Sequence, residues 1–167
     1  MIISDPTDAD FNCYISYDNA VLYVASRLYF ENWRAAGETD QKRALLTATL
    51  CLDRYVRWVG TAAADDQNLE WPRAEVYREG RESTWPSDAV PAPIQQATVE
   101  YAEVLLGENV LVDQDTGLAS IRVGSIGLVF NKMDRKDPIP AVVQRIVEPY
   151  GTVVTGGSSR TVELVRR

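Results

Sequence analysis

The strongest constraint on the fold is an apolar repeat within residues 39–60, TDQKRALLTATLCLDRYVRWVG. Apolar side chains recur there every three or four residues: Leu45, Ala48, Leu52, Val56 and Val59. This spacing places them on one face of an α-helix. Thr39 is a candidate N-cap and Gly60 a terminator. The segment therefore predicts a long amphipathic helix that buries one face.

A helix is also predicted for residues 16–37. Ser16 is a suitable N-cap, and Asp18 falls in the first turn, where a carboxylate complements the helix dipole. The apolar stripe of this helix consists of Ala20, Val24 and Leu28. Gly37 is the expected C-terminal cap.

A third helix is predicted from Pro91 or Ala92 to Leu106, with Asp88 as N-cap and Gly107 as the stop. The inner face of this helix is expected to consist of Ile94, Ala97, Thr98, Tyr101, Ala102 and Leu105. Residues 138–148 predict a short fourth helix that ends before Pro149.

Alternating apolar residues in 119–131 predict a β-hairpin around Gly124 and Ser125. Together these patterns predict a mainly α fold, a small bundle of about four helices with a short β-hairpin and an extended C-terminal arm. Residues 1–150 would form one helical domain and residues 151–167 the arm. The length fits one domain of ordinary size.

Histidine is absent, which removes the commonest general base and the commonest metal ligand. Ser-His and Cys-His nucleophilic arrangements cannot be built within this chain. We expect no enzyme activity, no catalytic residue, no metal and no cofactor. The formal net charge of −7 opposes binding of phosphate backbones.

Cys13 and Cys51 lie in apolar-periodic contexts without CxxC spacing, which predicts buried thiols. The N-terminus lacks the basic and apolar regions of a signal peptide. The apolar runs fall short of the roughly 20 residues that a membrane span requires, so no membrane association is expected.

Two motifs that resemble ligand loops are better explained as ordinary turns. Asp113 and Asp115 match the start of a calcium loop, but the required glycine and closing glutamate are missing. Residues 154–161, VTGGSSRT, lack the Gly-Lys-Ser/Thr of a phosphate loop, so a flexible turn is the better interpretation.

Residues 68–102 contain two Trp-Pro pairs, Trp71-Pro72 and Trp85-Pro86. Several basic and aromatic residues accompany them: Arg54, Arg57, Arg73, Arg78, Arg81, Trp58 and Tyr77. One interpretation is a platform on which single-stranded bases stack. The other is internal, with arginines that stack on aromatics and bond helix ends inside the fold. The acidic net charge favours the internal interpretation.

The same motifs carry a resemblance to a known family. The segments concerned are 14–16 (YIS), Trp33, 42–60 (KRALLTATLCLDRYVRWVG), 69–73 (LEWPR) and 86–102 (PSDAVPAPIQQATVEYA). In combination they resemble the head-to-tail connector, or adaptor, proteins of tailed phages, which also carry the name DnaT-like single-stranded-DNA-binding proteins. The resemblance covers nearly the whole chain.

The resemblance implies a structural protein of the virion neck, made in the host cytoplasm. It implies a homo-oligomeric ring, typically of twelve copies, that docks on the portal protein through a C-terminal arm. The lower face of the ring would meet tail or nozzle proteins. DNA would pass through without sequence-specific binding. The alternative function is single-stranded-DNA binding.

The residues themselves agree with a ring role, because an acidic lining repels DNA and lets it slide. The expected structural clasp or subunit interface consists of Arg57, Trp58, Trp71, Pro72, Arg73, Trp85, Pro86 and Asp88. The β-branched tail suits strand addition to a neighbour. Its docking residues would be Val153, Val154, Val162, Leu164, Arg166 and Arg167.

Overall fold

The computed structural model describes residues 1–78, 80–108 and 137–154, together with the backbone of 120–123 and 126–129. The helices are α1 (Tyr17–Ala25), α2 (Glu31–Ala35), α3 (Glu38–Tyr55), α4 (Ala92–Gly107) and α5 (Ala141–Val147), and a 3-10 turn spans Glu148–Tyr150. The strands are β1 (Val56–Trp58), β2 (Thr61–Ala62), β3 (Arg73–Ala74), β4 (Ser120–Val123), β5 (Ile126–Val129) and β6 (Gly151–Val153). The predicted mainly α fold with short β elements is confirmed.

The predicted first helix is wrong in its second half. It begins as expected, with the Ser16 hydroxyl accepting a hydrogen bond from the Asn19 amide at 3.3 Å. It ends at Ala25, and α2 is a separate short helix. Leu28, which was expected on the buried stripe, is 76% exposed. The next residue, Tyr29, has a φ of 60°, a backbone conformation that no right-handed helix contains.

Helix α3 begins and ends earlier than the repeat predicts. Its N-cap is Gly37, so neither the predicted Thr39 cap nor the predicted role of Gly37 as an end of the first helix is correct. The helix stops at Tyr55 because Val56–Trp58 pairs antiparallel with Gly151–Val153. The apolar repeat in the sequence continues past the end of the helix into β1, where helical spacing no longer predicts burial. Val59, just after this strand, therefore lies outside the core.

Helix α4 is the centre of the bundle and packs against α1, α2, α3 and α5. Its predicted inner face is confirmed for Ile94, Ala97, Thr98, Tyr101 and Ala102, which are buried, while Leu105 is half-buried. The predicted Asp88 cap is wrong. The helix starts after Pro91 without a side-chain cap, and Pro93 in its first turn has no amide that would need a partner.

Helix α2 is held to α4 by a buried carboxylate. Glu103 accepts hydrogen bonds from the backbone amides of Asn32 (3.0 Å) and Trp33 (2.7 Å). These amides lie in the first turn of α2, where no backbone acceptor is available within the helix. Glu103 is therefore the N-terminal cap of a helix 70 residues away in sequence, and Trp33 packs into the core beside it.

Within the described residues, three two-stranded sheets accompany the helices. The pairing of β4 with β5 confirms the predicted hairpin, whose Gly124-Ser125 turn lies outside the described residues. Val153 pairs with Val56, which makes it part of the folded body. The docking role of Val153 and Val154 stays a prediction. Several positions named from the sequence lie outside the described residues: Val162, Leu164, Arg166, Arg167, Asp113, Asp115 and the 156–159 turn.

The core confirms the expectation for the cysteines. Cys13 and Cys51 are both free and buried. In the part of the chain that the structure describes, no helix is long and apolar enough to cross a membrane.

Candidate functional site

The C-terminal turn of α3 carries a carboxylate that joins three separated segments. Asp53 accepts a hydrogen bond from the phenol of Tyr14 through Oδ1, and one from the backbone amide of Glu70 through Oδ2 at 3.1 Å. Tyr14 belongs to the YIS segment, Asp53 to the long helix, and Glu70 to LEWPR. Three of the motif segments therefore meet at one side chain.

Burial controls the ionisation of this pair. It raises the pKa of Asp53 to about 6 against the lowering effect of the bonds from Tyr14 and Glu70. Burial also raises the pKa of the Tyr14 phenol, and the negative charge of Asp53 adds to that rise. The phenol is therefore the donor and the carboxylate the acceptor at neutral pH.

Trp71 is the largest fully buried side chain and is 0% exposed. Its indole contacts Trp58 edge to face with ring centres 5.6 Å apart, and Tyr150 with ring centres 6.4 Å apart. Tyr150 in turn contacts Trp85 at 6.4 Å. The four rings form a continuous aromatic ladder from β1 to the loop that precedes α4. The Trp71–Pro72 peptide bond within this ladder is cis.

Arg73 fastens the LEWPR segment to the end of β1. Its guanidinium donates to the carbonyl oxygens of Val59 (2.8 Å), Gly60 (2.9 Å) and Glu70 (3.1 Å), and to the Glu70 carboxylate at 2.7 Å. The Arg73 side chain is only 10% exposed. Arginine suits this position because its planar fork satisfies several acceptors at once.

The model of a protein family described as "Putative DnaT-like ssDNA binding protein" matches residues 1–167. The chain belongs to this family. No curated protein matches, and no solved structure matches.

The junction of Asp53, Trp71 and Arg73 is thus a feature of a DnaT-like family member. It contains four of the residues that the sequence singled out as a clasp: Trp58, Trp71, Pro72 and Arg73. Trp85 reaches it through Tyr150 and is half-buried. Arg57, Pro86 and Asp88 are exposed and do not join it.

For most of the basic and aromatic residues around the two Trp-Pro pairs of this DnaT-like chain, the internal interpretation is confirmed. Trp58 and Trp71 are buried, and Arg73 bonds backbone carbonyls. The guanidinium of Arg78 stacks on Trp85, 4.5 Å from the ring centre. Tyr77, Arg54, Arg57 and Arg81 remain exposed.

Sequence reasoning missed two members of the site. Asp53 and Tyr150 carry much of the geometry, yet the sequence patterns assign a role to neither. The signal for Asp53 was a carboxylate in the last turn of a helix, an unfavourable place next to the negative helix end, which indicates a specific partner. Among the described residues, no cluster of three or more candidate ligands is placed to hold a metal ion.

Proposed function

We propose that this member of the DnaT-like family is a structural head-to-tail adaptor of a tailed phage. It forms a homo-oligomeric ring below the portal, through which DNA passes and to which the tail attaches. The observation that carries the proposal is the convergence of segments 14–16, 42–60 and 69–73 in one buried junction. The residues behind the connector resemblance thus serve a rigid frame, as expected of a ring subunit.

Two surface properties support the same role. The formal charge of −7 per copy gives a ring a negative field that repels duplex DNA. Three large apolar side chains on and just after α1 are exposed: Leu22 (69%), Leu28 (76%) and Tyr29 (80%). They are available for contacts with other subunits.

Electron microscopy tests the adaptor proposal. The protein should be mixed at high concentration with the portal protein of the same phage and imaged. We expect a ring, or a portal with additional density at its narrow end. A monomer in isolation is compatible with assembly on the portal alone. Absence of any ring or portal-bound assembly would refute the proposal.

The second candidate function is single-stranded-DNA binding, which the description of the family names. The chemistry for it would come from exposed Tyr77 and Arg81 together with Arg78, because Trp58 and Trp71 are 6% and 0% exposed. Stacking on an exposed aromatic with nearby arginines is the common mode of such binding.

A labelled oligothymidine of about 20 nucleotides, a length above common site sizes, discriminates between the two candidates. Fluorescence anisotropy at low salt should rise steeply if the strand binds, and the affinity should fall as salt is added. The adaptor proposal expects a flat titration. A salt-sensitive, saturable curve would favour the second candidate.

A further inference from the structure

A groove opens between a tight loop after β3 and the end of α5. In the loop, the Arg78 amide donates to the Ser83 carbonyl (3.0 Å), and the Trp85 amide donates to the Val76 carbonyl (2.8 Å). The groove has a volume of about 680 Å³. It is lined by Tyr77, Arg78, Gly80, Arg81, Glu148 and Pro149. Tyrosine and arginine are enriched where proteins contact one another.

The arginine wall of this groove is preorganised to bind a carboxylate. Arg78 is stacked on Trp85, which itself contacts Tyr150, so the guanidinium is held in a fixed plane. Its Nε is buried without a hydrogen-bond partner in the described part of the chain. Neither Arg78 nor Arg81 belongs to an ion pair between described residues. Arg78 and Arg81 both line the groove, and a guanidinium held in a fixed plane binds carboxylates well.

A matching pair of carboxylates lies elsewhere on the same chain. Asp65 and Asp66 occupy a turn in which residues 61–66 are all exposed. Neither carboxylate forms a hydrogen bond or an ion pair with another described residue. Adjacent like charges on an exposed turn repel each other, and an opposite charge would relieve that repulsion.

The turn and the groove lie at opposite ends of one ribbon. Strands β2 and β3 pair antiparallel, Thr61 with Ala74 and Ala62 with Arg73. The Asp65–Asp66 turn connects the strands at one end, and the groove loop leaves β3 at the other end. One copy therefore presents a carboxylate pair and an arginine wall in different directions.

We propose that the Asp65–Asp66 turn of one copy inserts into the Arg78–Arg81 groove of a second copy of this chain. Glu148 on the opposite wall directs the turn toward the arginines. The contact joins two different surfaces, and such head-to-tail contacts generate rings when their rotation closes. The inference rests on the proposed ring-forming function and identifies the contact between its subunits.

Charge reversal tests the contact. The variants are Arg81→Glu, which leaves the Arg78–Trp85 stack in place, and Asp65→Lys combined with Asp66→Lys. Each alone should raise the concentration for half-assembly roughly tenfold or more, measured by sedimentation velocity at several concentrations. An equimolar mixture of the two should assemble again, because each variant then meets an opposite charge on the other. Arg54→Glu, an exposed reversal elsewhere, should assemble like the wild type.

Disulfide capture gives a second measurement that detects weak contacts. Asp66→Cys mixed with Arg81→Cys should form an intermolecular disulfide, while Cys13 and Cys51 are buried and should not react. If the wild type assembles but charge reversal and the cysteine pair have no effect, this contact is wrong and the ring proposal stands. If the wild type is monomeric alone, the same variants are measured on the portal protein. If the wild type assembles neither alone nor on the portal and the cysteine pair does not crosslink, both proposals are overturned.

Discussion

The phenol of Tyr14 donates a hydrogen bond to the carboxylate of Asp53, a residue 39 positions further along the chain. The bond ties the segment before α1 to the C-terminal turn of α3. The same carboxylate accepts the Glu70 amide, so its loss would release two segments from the helix at once. Stability should therefore respond to both partners and to the ionisation of Asp53.

The free energy of unfolding should be larger at pH 5 than at pH 7 because of the ionisation of Asp53. Its folded pKa of about 6 lies above the ordinary aspartate value of 3.8, so the folded state binds the proton more tightly than the unfolded state. The stabilisation that comes from the protonated Asp53 is lost as the pH rises through its unfolded pKa of 3.8 and its folded pKa of about 6. The gain from pH 7 to pH 5 should be on the order of 1 kcal/mol, measured by urea unfolding.

Asp53→Asn should remove that part of the pH dependence, whereas the exposed Asp66→Asn should keep it. An unchanged pH profile in the Asp53→Asn variant would contradict the assignment.

Tyr14→Phe should destabilise the protein by about 1–3 kcal/mol at pH 7, because it leaves a buried carboxylate oxygen without its donor. Tyr17→Phe is a matched control, since Tyr17 also donates a hydrogen bond, to Gln41 at 2.6 Å, but from a half-buried position. Urea unfolding monitored by tryptophan fluorescence gives both values. Equal effects of the two substitutions would contradict a special role for the Tyr14–Asp53 bond.

Arg73→Ala should cost about 3 kcal/mol of unfolding free energy, because three carbonyl groups lose a charged donor. Arg73→Lys should restore only part of this loss, since an ammonium group lacks the planar fork. Arg43→Ala is the control. Arg43 forms an exposed ion pair with Asp40, which should contribute less than about 1 kcal/mol. Full rescue by lysine would show that charge alone matters at position 73.

Trp71→Ala should cost roughly 3–5 kcal/mol, the range for a buried aromatic, and should disturb assembly by loosening the aromatic ladder. Tyr77→Ala is the control aromatic, because Tyr77 is 66% exposed. It should change stability by less than about 0.5 kcal/mol. Thermal unfolding of both variants measures the effect on stability, and sedimentation of the Trp71→Ala variant measures the effect on assembly. A Trp71→Ala variant as stable as the wild type would contradict the central position of this indole in the core.

Glu103→Ala should release α2 from α4 at a cost of about 2 kcal/mol, since two first-turn amides lose their acceptors. Hydrogen exchange should accelerate at the amides of Asn32 and Trp33 before it does in α3. Glu100→Ala is the control on the same helix, because among the described residues Glu100 accepts a hydrogen bond from the Tyr23 phenol alone. Unchanged exchange at Asn32 and Trp33 would refute the capping role.

Helix periodicity predicted the bundle because burial on one face is a local pattern. It identified the buried face of α4 and the start of α1 at Ser16. It failed where long-range pairing determined the outcome. Val56 fits a helical repeat, but its pairing with Val153 makes it a strand residue, and no local signal reports that partner. The cap of α2 was likewise invisible, since Glu103 lies 70 residues from the amides that it accepts.

The clasp could be predicted only in part, because the local sequence does not report long-range partners. Trp71 and Arg73 could be identified from the local sequence, because a proline directly after a large aromatic residue restricts the backbone of that residue. Asp53 could not be assigned a role, because its partners come from two segments that only the tertiary fold brings together.

The pairing of β6 with β1 has a mechanical consequence. The Val154 amide donates to the Tyr55 carbonyl at 2.7 Å, and the Val59 amide donates to the Tyr150 carbonyl at 2.9 Å, on either side of the strand pair. A force applied to the chain after Val154 along the strand axis loads these backbone bonds in parallel rather than one after another. Tension would therefore pass directly into α3, the longest helix, and spare the loops.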